Sequence, residues 1–169
     1  MSKFGRAAAT ACCAVLLTAP VAATVPSRSA PDCPLHIIGG RDGSLKQLSG
    51  KVVYVDFWAS WCASCIASFP FMERMRRELG SRGLEIVGVN MDQKPADAAR
   101  FLAHHPVSFA ISTGANDPCA KRFGVKAMPS TYIVDRRGNI RAIHSGFRPD
   151  EAAGLRSTIE KLLAEPLTP

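Results

Sequence analysis

The sequence lacks the marks of several large functional classes. Its basic residues are scattered rather than gathered into a stripe interleaved with aromatics, and aromatics make up only 7% of the chain. No nucleic-acid partner is therefore expected. There is no second Cys-x-x-Cys, and His36, His104, His105 and His144 show no ligand spacing. Zinc normally takes four ligands, so no metal site and no cofactor are expected. The histidines read as surface or core residues. No internal repeat and no long polar tract appears. The one extended apolar stretch, near the start, barely reaches the roughly 20 residues that a membrane span needs.

What is present suits a single domain with some extra chain. The sequence has 169 residues, 47% of them apolar, enough to bury a full core. Lys3 and Arg6 precede the apolar, small-residue stretch Ala7 to Thr18, and Val21-Ala22-Ala23 offers a processing site. Residues 1–23 thus read as a signal peptide, with an uncleaved membrane anchor as the alternative. Lipid attachment at Cys12 is disfavoured, because Ala9 stands where a lipobox usually has Leu. Periplasmic export is expected. Formal charge is +7 for the whole chain, and loss of Lys3 and Arg6 with the leader lowers it to +5. An exported chain meets oxidising conditions. Of six cysteines, Cys33, Cys62, Cys65 and Cys119 remain after the leader.

Residues 24–35, rich in Pro and Ser, read as a flexible lead-in. A hairpin around Gly39-Gly40 is expected within His36 to Leu48. Val52 to Trp58 is β-branched and aromatic, which predicts a strand buried on both faces. A helix follows from Cys62 to Leu79, its apolar face predicted as Ile66, Phe69, Met72, Met75 and Leu79, with a kink at Pro70. Further strands are predicted at Leu84–Met91, Phe109–Ile111, Ser130–Val134 and Ile140–His144. The last two form an antiparallel pair across Asp135–Asn139. Helices are predicted at Pro95–His105, Asp117–Phe123 and Pro149–Leu163. The order predicts an α/β domain over 36–164, with helices on both faces of a mixed central sheet and a short tail, 165–169.

Trp61-Cys62-Ala63-Ser64-Cys65 lies between the buried strand and a helix start. Residues three apart share a helix face, so the two sulfurs can close a disulfide. Free N–H groups and partial positive charge at the helix start favour a thiolate at Cys62, which would attack, while Cys65 would resolve. A structural disulfide is disfavoured, because so small a loop adds little stability. Asp56 is odd inside so apolar a strand, since burial raises a carboxyl pKa. Its alternative is an exposed Asp at the strand end. Cys33 and Cys119 stand apart from this motif. They read as a structural bridge, or else as two free, partly buried thiols.

Val55-Asp56-Phe57-Trp58-Ala59-Ser60-Trp61-Cys62 resembles the active-site strand of thioredoxins. Pro70, five residues after Cys65, and Met128-Pro129-Ser130-Thr131 match that family too. Gly50-Lys51-Val52-Val53 and Ile133-Val134-Asp135 followed by Gly138 are similar to TlpA-type periplasmic thioredoxins in particular. The resemblance covers residues 36–164 and implies the thioredoxin fold, with thiol–disulfide oxidoreductase activity on protein disulfides. It implies that Asp56 is the buried acid and that Pro129 follows a cis bond. It also places Met128 beside Cys62, where its backbone could pair with substrate. Trp61 is a further candidate substrate contact at the rim. The resemblance further implies a reductase of the cytochrome c maturation or oxidase assembly type, recharged by a membrane electron donor. A monomer is expected. Two departures stand out: Ser64 replaces a common proline, and Ser68 stands where several relatives carry an acid. A copper-binding chaperone and a thiol peroxidase are the rival readings on the same fold.

Overall fold

The computed structural model describes residues 28–113 and 118–166. The expected signal peptide, the first part of the lead-in and the last residues of the tail lie outside the described residues. Strands are β1 (Arg28–Ser29), β2 (Pro34–Ile37), β3 (Gly43–Ser44), β4 (Val52–Trp58), β5 (Leu84–Asn90), β6 (Ala110–Thr113), β7 (Ser130–Val134) and β8 (Asn139–Ser145). Helices are α1 (Ala63–Leu79), α2 (Pro95–His104), α3 (Cys119–Phe123) and α4 (Ala152–Ala164). Among the described residues the strands form one sheet, ordered β1-β8-β7-β4-β5-β6-β2-β3.

Strand β4 is the axis of this sheet. It pairs in parallel with β5 and antiparallel with β7, and all seven of its residues are buried. Alternation along it splits the core in two. Tyr54 and Trp58 join the side chains of α1, α2 and α4 on one face. Val53, Val55 and Phe57 join α3 and the N-terminal segment on the other. Gly88 of β5 leaves room for Trp58: a Cβ there would lie 3.0 Å from the indole nitrogen. The indole then packs against Phe69 and Phe101, with ring centres 4.9 and 5.0 Å away.

Helix α1 continues through Pro70. Proline has no N–H for the carbonyl four residues back, which belongs to Ile66. Both residues face outward, and Ile66 is 38% exposed. The predicted apolar face therefore needs correction. The buried stripe starts at Cys65 rather than Ile66 and runs through Phe69, Met72, Met75 and Leu79.

The expected flexible lead-in also needs correction over its described part, residues 28–35. Arg28 and Ser29 already pair with Ile140 and Asn139 at the sheet edge, and Pro34 begins the strand that meets β6. A Pro- and Ser-rich composition reads as linker, yet long-range partners fix residues 28–35. Cys33 is fully buried and joined to Cys119 at the start of α3, 86 residues away. The hairpin around Gly39-Gly40 exists, with β2 and β3 as its strands.

A crosslink closing so long a loop removes much unfolded-chain entropy. Replacing both Cys33 and Cys119 by Ala is expected to lower unfolding free energy by roughly 2–4 kcal/mol. Urea denaturation under non-reducing conditions measures it. A change below about 0.5 kcal/mol would remove the bridge from the folding energetics.

Candidate active site

The end of β4, the loop Ala59–Trp61 and the start of α1 build the site. Cys62 is the N-cap residue of α1, with extended backbone, and its sulfur accepts the Cys65 N–H at 3.2 Å. The Ser64 hydroxyl lies 3.6 Å from the same sulfur. Ser64, where proline is common, thus offers a second donor to Cys62. Both groups would stabilise negative charge on that sulfur. The pair is joined as a disulfide with a Cα separation of 5.2 Å. Cys62 is 6% exposed and Cys65 not at all, so only the first sulfur can be reached from outside.

The loop before Cys62 is held by a residue that sequence reasoning missed. Asp92 is buried just beyond β5. Its carboxylate accepts the Ser60 N–H at 3.1 Å to both oxygens, the Ser60 hydroxyl at 3.0 Å and the Asn90 amide at 2.8 Å. The segment Asn90-Met91-Asp92 carried no sign of this. Its partner lies 32 residues away, and only the parallel pairing of β4 with β5 brings the two strand ends together.

Asp56 is fully buried, not exposed at a strand end. Alternation points it to the face shared by Tyr54, Trp58, Cys62 and Cys65. One oxygen, Oδ1, accepts the Thr131 hydroxyl at 2.6 Å. The other, Oδ2, is buried with no hydrogen-bond partner among the described residues. Burial pushes the carboxyl up from an ordinary 3.8 to about 7, and the Thr131 bond pulls the other way. Thr131 itself contacts the buried Tyr54 hydroxyl at 3.3 Å. Burial and the nearby Asp56 hold that phenol well above its ordinary range, so it stays neutral.

The Met128–Pro129 peptide is cis. The Pro129 carbonyl accepts the Gly146 N–H at 2.8 Å, and the Ser130 hydroxyl donates to the Ala127 carbonyl at 2.6 Å. Met128 is half-buried and packs against the cluster that holds Cys62 and Cys65. Ser68 is buried and donates to the Cys65 carbonyl at 2.9 Å. Trp61 is 70% exposed and walls a cavity of about 490 Å³ with Phe101, Arg100, His104 and His105 of the α2 region. Cys33 and Cys119 belong to the opposite face of the sheet from the redox pair.

The raised Asp56 value has a sign for stability. The folded state holds this proton more tightly than the unfolded chain does. The burial penalty on the ionised form is therefore absent below about 3.8, grows as pH rises and is complete above about 7. Asp56→Asn keeps the acceptor for Thr131 without the charge. It is expected to raise unfolding free energy by roughly 2–4 kcal/mol at pH 8 and far less at pH 4. Denaturant titration at both pH values checks this. An equal effect at the two would mean that the carboxyl does not titrate in between.

The comparisons with known proteins follow the same lines. The model of the family described as Redoxin matches residues 25–163. The thiol-disulfide oxidoreductase ResA of Geobacillus thermodenitrificans is 29% identical over 123 residues, covering 73% of this chain and 71% of that one. The thioredoxin-like protein YneN of Bacillus subtilis is 32% identical over 122 residues, covering 70% and 71%. A crystal structure from Chlorobium tepidum, described as a thiol:disulfide interchange protein DsbE, superposes with a TM-score of 0.79 at 38% identity. It covers 82% of this chain and 97% of that one. On the fold, the cysteine pair and these relatives together, the chain belongs to the redoxin family, among its thioredoxin-like, TlpA-type thiol–disulfide oxidoreductases.

Proposed function

We propose that the protein is a periplasmic reductase of protein disulfides, exported by its N-terminal leader. Cys62 is the attacking thiol, Cys65 the resolving thiol and Asp56 the proton acceptor. The observation that carries this reading is a fully buried carboxyl on the redox-pair face of β4, with one oxygen left unpartnered among the described residues. A resolving thiol must lose its proton inside the protein, and an acid that titrates near neutrality suits that transfer.

The reaction runs in two exchanges. The Cys62 thiolate attacks a substrate disulfide. One substrate sulfur bonds to Cys62 Sγ, and the other leaves as a thiolate that takes a proton from solvent. Cys65 then gives its proton to Asp56, and its sulfur attacks Cys62 Sγ. The mixed disulfide breaks, and the second substrate sulfur departs with the bonding pair and is protonated. The substrate gains two electrons and Cys62–Cys65 becomes the disulfide. A membrane donor of the thiol-reducing type returns the electrons.

Met128, beside the cis bond, supplies backbone for an extended substrate segment, and the exposed Trp61 covers its flank. Suitable substrates are paired cysteines of exported apoproteins awaiting haem or copper. The protein works as a monomer.

The roles of the two cysteines are separable. Cys65→Ser is expected to accumulate mixed disulfides through Cys62, visible on non-reducing gels of exported extract, whereas Cys62→Ser traps none. Equal trapping by both variants would overturn the order of attack.

A further inference from the structure

The geometry points to Thr131, backed by the Tyr54 hydroxyl, as the positioning residue that fixes which oxygen of Asp56 takes the Cys65 proton. This rests on the reading of Asp56 as that acceptor.

Thr131 has one hydroxyl proton to give. At 2.6 Å the carboxylate oxygen Oδ1 takes it. The 3.3 Å contact between Thr131 Oγ1 and the Tyr54 hydroxyl then needs the Tyr54 proton to point at Thr131. Tyr54 is held neutral, so it keeps that proton. The result is a directed chain, from Tyr54 to Thr131 to Asp56 Oδ1, in which each bond polarises the next. With Oδ1 occupied, an arriving proton goes to Oδ2. Oδ2 has no partner among the described residues.

Sheet register holds the chain in place. Thr131 stands directly opposite Asp56 on β7. Opposite Asp56 on the other side is Gly88, which has no side chain to offer a rival donor. One strand beyond Thr131 lies His144, paired with Glu151 at 2.9 Å. From α1 the redox pair shares this layer, and the buried Ser68 is engaged with the Cys65 carbonyl. Buried α4 side chains are apolar: Leu155, Ile159, Leu162 and Leu163. Thr131 thus sets both the position and the proton affinity of the acid without touching substrate.

The test is a stopped-flow measurement of how fast Cys65 resolves a thionitrobenzoate mixed disulfide on Cys62, from pH 5 to 9. The variants are Thr131→Val, Thr131→Ser, Tyr54→Phe and Asp56→Asn. Without its donor the ionised carboxylate is less stable, so the rising limb should move to higher pH. A hydrogen bond to a charged group corresponds to about one pH unit, or about tenfold in rate on the acid side of the midpoint. Thr131→Val should show this shift, Thr131→Ser should restore the wild-type midpoint, and Tyr54→Phe should shift it less in the same direction. Carbon-13 titration of the Asp56 carboxyl reads the same shift without catalysis.

A Thr131→Val limb at the wild-type midpoint, with the Asp56→Asn limb abolished, would overturn the role of Thr131 and leave Asp56 as acceptor. A uniform loss of rate at every pH would also overturn it, as a merely structural effect. A limb that survives Asp56→Asn unchanged would overturn the reading of Asp56, and the proposal with it.

Discussion

A carboxyl group in the middle of a strand buried on both faces is costly unless it is neutral or well paired. Among the described residues, Asp56 has a single side-chain donor, Thr131, and no cation supplies a counter-charge to it. The rest of the site is arranged around that constraint. Burial moves the acid to the range where it can both hold and release a proton near neutral pH. The same burial destabilises the fold once the group ionises. A purely structural residue at this position would be better as Asn or Val. The strain on stability is intelligible if the proton has work to do.

The constraint extends to the strands on either side. Parallel pairing of β4 with β5 brings Asp92 to Ser60 and so steadies the loop that delivers Cys62. Antiparallel pairing with β7 brings Thr131 to Asp56, and the cis Met128–Pro129 peptide lies just ahead of that strand. One central strand therefore feeds the nucleophile from its end, the acid from its middle and the acid's partner from its neighbour. The disulfide between Cys33 and Cys119 serves a separate purpose on the opposite face, where it closes the N-terminal segment onto α3.

Much of this was legible in the sequence because it depends on local pattern. The β-branched run from Val52 gave β4 with the bounds expected, and Gly124 and Gly138 mark turns where positive φ is needed. Cys-x-x-Cys before an amphipathic helix carried the chemistry, and Asp56 stood out by its apolar neighbours. The failures concern long-range partners. Ile66 fits a helical period, but the helix is rotated so that Ile66 and Pro70 face outward. The lead-in has the composition of a linker, but β8 and Cys119 hold it. Asp92, Thr131 and the Tyr54 hydroxyl act through side chains far away in the chain. Nothing local distinguishes them from ordinary polar residues at strand ends or in a strand.

The relatives establish thiol–disulfide exchange, and direction depends on how strongly the pair holds its electrons. Two features act on that balance in opposite senses. The Cys65 N–H and the Ser64 hydroxyl favour a Cys62 thiolate, and so the reduced state. A buried carboxylate on the same face opposes a second negative charge, and so favours the disulfide. The direct measurement is equilibration of the Cys62–Cys65 pair against a dithiol of known potential at pH 7. A reductase requires a value near that of thioredoxin, about −270 mV, and a value near about −120 mV, that of a strong oxidant, would contradict it.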